Sequence, residues 1–244
     1  MGRLLRITGQ VIPVSLERSD LCAELASGEV ILGESKIDTR RQRLPAIRRM
    51  FLDPPVRTNP GAVRAIMDAD LVVLGPGDLY TSIIPNLLVD GIAQAIAASR
   101  ATRVYVSNLM FKVGETDGYA ASDFVRAITE YCGGSHLDWA LINIRPVPDK
   151  VKEAYAKEGS GPVTPDLDMV RRHVPAVFAS SVANGRLPFK HDPDRVAEAV
   201  LCIARLGRTM PRFEESPRRL AAAGSRHRPA KQLAAAVDYK LQQA

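Results

Sequence analysis

Long uncharged apolar runs are missing from this chain of 244 residues. None approaches the about 18 residues that a membrane-spanning helix needs, and the basic, proline-containing start has no signal-peptide core, so a soluble, cytoplasmic protein is expected. Cysteine is scarce as well: Cys22, Cys132 and Cys202 are odd in number, far apart, and in none of the paired spacings of a zinc site or redox centre. Of the four histidines, His136, His173 and His227 have no metal-ligand spacing with Cys or carboxylate, which argues against a metal hydrolase. There is no G-x-S-x-G nucleophile elbow, no G-x-x-x-x-G-K phosphate loop and no complete G-x-G-x-x-G after a strand. Internal repeats and strict low-complexity blocks are absent too.

What remains is a globular composition, 46% hydrophobic, sufficient for one sizeable core. The formal charge of +6 is unevenly placed: from Arg208 onward eight Lys and Arg face only Glu214, Glu215 and Asp238, so the body is close to neutral. A near-neutral body argues against a nucleic-acid-binding fold. One α/β domain over 1–207 is expected, followed by a basic, flexible tail over 208–244 with a short amphipathic helix at Leu233, Val237 and Leu241.

Near the start, Arg6 to Leu16 and Leu21 to Ser35 carry β-type features, with Ser27-Gly28 as a turn, and Ile47 to Leu52 adds another strand; together they predict a small antiparallel section. Asn59-Pro60 is a helix start, with Val63, Ile66 and Met67 on its apolar face. Leu71 to Leu74 is too short for a helix and stops at Gly75-Pro76-Gly77-Asp78, which predicts a buried central strand and a tight loop. Leu88, Ile92, Ile96 and Ser99 then recur at helical spacing. Arg103 to Ser107 and Trp139 to Ile144 read as further strands. Ser122 is placed to cap a helix through Phe124, Ile128 and Tyr131 that closes at Gly133-Gly134, and Asp149 to Lys157 reads as a polar helix. Gly159 to Pro165 reads as a loop, Val174 to Val182 as containing a strand, and Asp192-Pro193 as the start of a last helix that buries Val196, Val200 and Ile203 and ends at Gly207.

Strands alternating with helices predict a mostly parallel sheet flanked by helices, whose loops gather at the strand C-termini. Gly75, Gly77 and Asp78 would then share a crevice with the polar loop after the second strand. Free backbone N–H groups and the Thr81 and Ser82 hydroxyls at a helix start suit phosphate. Asn108, Glu115, Thr116 and Tyr119 suit ribose or base, Lys112 could meet a phosphate, and Glu115 or Asp117 could hold Mg2+. Lys190, His191 and Asp192 form a third polar cluster, in which Asp192 also reads as a simple helix cap. An ordinary strand-to-helix turn and a solvated loop are the competing readings.

The ordered set GPGDLYTSIIPNLL (75–88), SNLMFKVGETDGY (107–119), SDFV (122–125) and KHDPDRVAEAV (190–200) resembles the gluconeogenesis factor family, the YvcK branch of the CofD-like proteins. The resemblance runs from about Leu5 to Leu206. It implies a Rossmann-like fold, a bacterial cytoplasmic setting, and binding of a UDP-sugar such as UDP-N-acetylglucosamine in a regulatory role linked to cell shape and peptidoglycan synthesis during gluconeogenic growth. The neighbouring branch, the magnesium-dependent 2-phospho-L-lactate transferases of deazaflavin coenzyme synthesis, is the alternative. The nucleotide pocket of the family carries over to Gly75, Gly77, Thr81, Ser82, Asn86 and Asn108, with Glu115, Thr116 and Tyr119 on the second loop. Asp78 stands where the family commonly has Ser, Phe111-Lys112-Val113 where it has a Thr-Gln-Pro-like segment, Phe124 where it has His, and Lys190 where it has Arg. Family members also carry an N-terminal segment with a glycine-rich loop and Asp-Asp-Gly-Gly, which this chain lacks; an uncovered central edge of the sheet there predicts poor solubility or pairing with another chain, such as a second copy.

Overall fold

The computed structural model describes residues 9–134 and 137–209. The expected tail helix, most of the basic tail, His136, His227 and the first residues of the Arg6 to Leu16 stretch lie outside them. Residues 9–16 are not a strand; the backbone there is irregular and is tied to the start of a helix, the Val14 carbonyl accepting from the Asn59 N–H (2.7 Å). β1 (Asp20–Leu25) pairs antiparallel with β2 (Val30–Leu32) across the Ser27-Gly28 turn and with β3 (Ile47–Asp53), which makes the expected antiparallel section. Between β2 and β3 the chain forms the short helix α1 (Glu34–Asp38), so Ser35 is helical and not the end of the expected strand.

α2 (Pro60–Met67) starts as its sequence dictates, the Asn59 side chain accepting from the Gly61 N–H (2.9 Å) ahead of Pro60. Its buried residue is Ala62, whereas Met67 is exposed. β4 (Leu71–Leu74), β5 (Thr102–Val106), β7 (Trp139–Asn143) and β9 (Ala176–Ser180) form a parallel sheet in the order β4-β5-β7-β9. The strand expected at the centre thus lies at one edge of the sheet: among the described residues β4 pairs with β5 alone, and Val73 is 41% exposed. A short apolar run looks the same in either position, because partial cover by helices already selects apolar residues.

The single helix expected after β4 is broken into three pieces. A π-helical turn (Leu79–Ile83) leads into α3 (Ile84–Leu87), and α4 (Ile92–Ala98) begins afresh after Gly91 at φ +98°. Pro85 has no N–H to give to a continuous ladder, and the left-handed Gly91 turns the chain at Asp90, which bridges to Arg57. Gly159 to Pro165 holds the two-residue strand β8 (Gly161–Pro162), paired with β6 (Met110–Phe111). α5 (Ala121–Tyr131) ends at Gly133-Gly134 as expected, but Ser122 lies inside its first turn and does not cap it. Asp166, on the loop before α7 (Leu167–Val170), accepts from the Ser122 N–H (2.9 Å) and hydroxyl (2.5 Å) instead.

α6 (Asp149–Lys157) follows β7 with the expected bounds. α8 (Pro193–Thr209) buries Ala199 and Ile203, with Val196 and Val200 half-buried, and continues past Gly207. Gly207 is needed for approach rather than for termination: a Cβ there would lie 2.3 Å from Thr102 Oγ1 on β5. Tyr105, Ala140, Ile142 and Val177 face the main core, shared with α5, the helices after β4 and the antiparallel sheet. The alternate residues Val104, Val106, Trp139, Leu141 and Phe178 are buried on the face over which α8 packs. No helix among the described residues is long and apolar enough to cross a membrane.

Candidate functional site

The C-terminal ends of β4, β5 and β7 deliver the loops that the sequence singles out. Asn108, just past β5, joins two of them: its Nδ2 donates to the Gly77 carbonyl (2.9 Å) and its Oδ1 accepts from the Tyr105 hydroxyl (3.0 Å). Gly75 needs its left-handed backbone (φ +80°), since a Cβ would lie 3.1 Å from the Val106 carbonyl oxygen. Asn108 and the two glycines therefore lock the first two loops edge to edge.

The second loop is largely interior. Glu115 and Thr116 are buried, and Thr116 Oγ1 accepts from the Lys112 N–H (2.9 Å) to close the turn. The Lys112 ammonium contacts Asp78 (2.8 Å), Glu115 (2.8 Å) and Asp38 at the end of α1. Burial pulls the Lys112 pKa down, but the three carboxylates outweigh it and hold the group above its ordinary value. Burial pushes the Glu115 carboxyl up to about 7, against the pull of Lys112. Asp78 thus faces an ammonium, and Lys112, expected to meet a phosphate, spends its donors on carboxylates.

The magnesium ligands suggested by the sequence do not fit a metal here. Glu115 Oε1 holds the ammonium, Asp117 Oδ2 accepts from the Gly114 N–H (2.8 Å), and Asp117 Oδ1 faces Arg43 (3.3 Å). Among the described residues no group of three or more His, Cys, Asp or Glu is arranged to hold an ion.

Other expected residues are distributed around this centre. The Tyr119 hydroxyl meets that of Tyr80 (2.9 Å), and Thr81 is buried with its hydroxyl lacking a partner among the described residues. Ser82 and Asn86 are exposed on the helical turns, the Asn86 amide donating to the Ser82 carbonyl (2.7 Å). His191 reaches the crest, its Nε2 donating to the Ser107 carbonyl (3.1 Å); burial lowers its pKa and that bond opposes the shift. Asp192 caps α8, accepting from the Arg195 N–H (3.3 Å), whereas Lys190 is exposed, its backbone paired with Asn184.

Beside Asn108 lies a cleft of about 220 Å³ between the ends of β5 and β7, lined by Ser107, Asn108, Asn143, Arg145, Lys152 and Thr164 among others. Asn143, Arg145 and Lys152 escape the sequence reading. The signal was there, since Asn143 ends a strand as Asn108 follows one, but no glycine loop draws attention to it. Asn143 Oδ1 accepts from the Val182 and Ala183 N–H groups (both 3.2 Å) and so fixes the floor of the cleft. Arg145 donates to the Ala183 carbonyl (3.1 Å), and its guanidinium lies over Gly185, where a Cβ would be 2.6 Å away. A second cleft of about 500 Å³, between β3 and α5, is lined by Tyr80, Tyr119, Tyr131, Arg48, Arg49 and Arg126.

A four-stranded parallel sheet flanked by helices, with a cleft at its carboxyl edge, places this protein in the Rossmann-like α/β fold class. The family model for 2-phospho-L-lactate transferase CofD matches residues 1–183, and the chain belongs to the CofD family. It is 39% identical over 206 residues to the gluconeogenesis factor of Halalkalibacterium halodurans, covering 82% of this chain and 62% of that protein. The gluconeogenesis factor of Listeria innocua is 37% identical over 205 residues, covering 83% and 62%. A solved Bacillus halodurans structure, protein BH3568, superimposes with a TM-score of 0.76 at 38% identity, over 82% of this chain and 64% of that one. The chain thus spans a little under two thirds of the relatives' length.

Proposed function

We propose that this chain is a nucleotide-sugar-binding regulatory protein that takes a UDP-sugar, such as UDP-N-acetylglucosamine, at the crest of its parallel sheet. The observation that carries the reading is the cleft beside Asn108, at the strand C-termini where open α/β sheets bind ligands, with Arg145 and Lys152 among its lining. Amide and hydroxyl groups there suit uracil, ribose and sugar, and the two cations suit a diphosphate. The family and the names of its relatives support a role in gluconeogenic growth, which we extend to cell shape and peptidoglycan synthesis. Group transfer is the less favoured reading, because the carboxylates it would use for magnesium are engaged by Lys112, Arg43 and the Gly114 N–H.

Calorimetric titration with UDP-N-acetylglucosamine tests this. Lys152 is exposed and, among the described residues, pairs with Asp149 alone (2.9 Å), so Lys152→Ala is expected to weaken binding about tenfold with an unchanged melting temperature. Absence of heat at millimolar ligand, or equal affinity in the variant, refutes the placement.

A further inference from the structure

The antiparallel layer departs from the pattern of a sheet with one dry and one wet face. Leu21, Ala23 and Met50 point into the main core, so alternation turns their neighbours along β1 and β3 to the opposite face. The strand register sets that face out in three rows. Asp20 stands opposite Asp53, then Cys22 lies between Leu32 and Phe51, and last Glu24 lies between Val30 and Arg49. Water-facing strand positions are ordinarily polar, yet the middle row is apolar throughout. Leu32 is 54% exposed, and Val30 in the next row is 46% exposed.

The two flanking rows differ in charge. Asp20 and Asp53 are like charges set directly against each other across β1 and β3, an arrangement that destabilises a sheet by itself. The ion pairs of this face among the described residues lie in the third row, where Glu24 accepts from Arg49 Nε (2.5 Å) and from Arg48, two guanidiniums to one carboxylate. Arg49 is held on the face by the Phe51 ring, whose centroid is 5.2 Å away.

We propose that this face is a docking surface for a second copy of the chain, the two sheets stacked about a two-fold axis that runs along the middle row. Such an axis lays apolar row on apolar row and reverses the strand ends, which brings the Asp20 and Asp53 end of each copy over the Arg49 end of the other. Asp53 then meets Arg49 at two equivalent contacts, each relieving the opposed carboxylates of one copy and giving the surplus guanidinium of the other its acid. A second copy carries both charges in the required order. With two exposed aliphatic residues at its centre, the contact belongs to the small, transient class. It rests on the antiparallel layer alone, apart from the open β4 edge and from any ligand.

Sedimentation equilibrium of the whole chain at about 100 µM tests this. A dimer is expected. Leu32→Lys, at an exposed position, is expected to be monomeric and to keep the wild-type melting temperature in dilute solution. Asp53→Lys and Arg49→Glu should each weaken the dimer about tenfold, whereas their equimolar mixture should regain wild-type association, because a mixed pair again sets acid against base at both contacts. A monomeric wild type overturns the proposal, as does a mixture no tighter than its components. A dimer that Leu32→Lys leaves intact also overturns it, by placing the contact elsewhere, such as the β4 edge. Should Arg49→Glu fail to fold, Asp53→Lys still decides: it removes the like-charge pair with Asp20, so it should fold at least as well as the wild type while loosening the dimer, and undiminished association refutes the charge register.

Discussion

Gly114 is the tightest contact between the buried second loop and the antiparallel layer. Its φ is +83°, and a Cβ would sit 2.3 Å from the Arg40 carbonyl oxygen and 2.9 Å from the Arg40 carbonyl carbon. These are backbone atoms that cannot swing aside. Arg40 is also anchored: its guanidinium donates to the Gly114 carbonyl (2.6 Å) and to the Pro45 carbonyl. In Gly114→Ala the left-handed backbone costs about 1 kcal/mol. Separating the two strands of chain costs about 1–3 kcal/mol more, and weakening the buried Arg40 bond about 1 kcal/mol. The total is about 3–5 kcal/mol, which in a domain of this size lowers the melting temperature by about 10 °C. Gly28→Ala is the control, because Gly28 has φ +88° but nothing within 4 Å of its Cβ. It bears only the conformational cost, about 1 kcal/mol, or about 2–4 °C. Thermal melts followed by circular dichroism compare the two; equal shifts would refute the argument that Arg40 and Gly114 are packed without slack.

Three further outcomes are expected. Between about 4.5 and 7, native Glu115 keeps a proton that the unfolded chain releases, so stability falls as pH rises through that window. Glu115→Gln should remove this fall, read as the difference between the two denaturation profiles; His191, held low by burial, acts in the opposite sense below its ordinary value and cancels in the difference. Parallel profiles would contradict the burial assigned to Glu115. Asp138→Ala strips Arg103 of two side-chain bonds (2.9 and 2.8 Å) and of the bond to its main-chain N–H (2.8 Å), at a cost of about 3 kcal/mol, seen as a lower urea midpoint with an unchanged slope. Gly207→Ala should destabilise by about 2 kcal/mol by driving a methyl into Thr102, and Thr102→Ala in the same chain should recover part of that loss; no recovery would point away from the α8–β5 contact.

Much of the fold was legible wherever a short stretch contains its own cause. Asn59-Pro60 supplies both the capping amide and a residue that needs no N–H, and α2 starts there. The bounds of α6 and the Gly133-Gly134 stop of α5 follow from equally local chemistry. Legibility failed where the deciding group is distant. Ser122 looks like a cap, but Asp166 from another loop takes its N–H and hydroxyl, and Gly207 looks like a stop, although its purpose is set by Thr102 on β5. The candidate site divides in the same way. Asn108, Gly77 and His191 are drawn together at the crest as their positions after strands and before a helix suggested, whereas Lys190 is turned to solvent and Asn143, Arg145 and Lys152 enter unannounced.

Alternation of apolar runs with capped helices was enough to specify a parallel sheet and the edge at which its polar loops collect, because periodicity and caps act within a few residues. Strand order was not specified, since the apolar run at Leu71 to Leu74 suits the centre and the edge of a sheet equally, and only packing put it at an edge among the described residues. The charges of Asp78 and Lys112 were equally undecided. In the sequence they are an acid that repels phosphate and a base that attracts it; in the fold, α1 brings Asp38 and the buried loop brings Glu115 to the same ammonium, and Coulomb attraction at less than 3 Å turns both into one closed ion cluster.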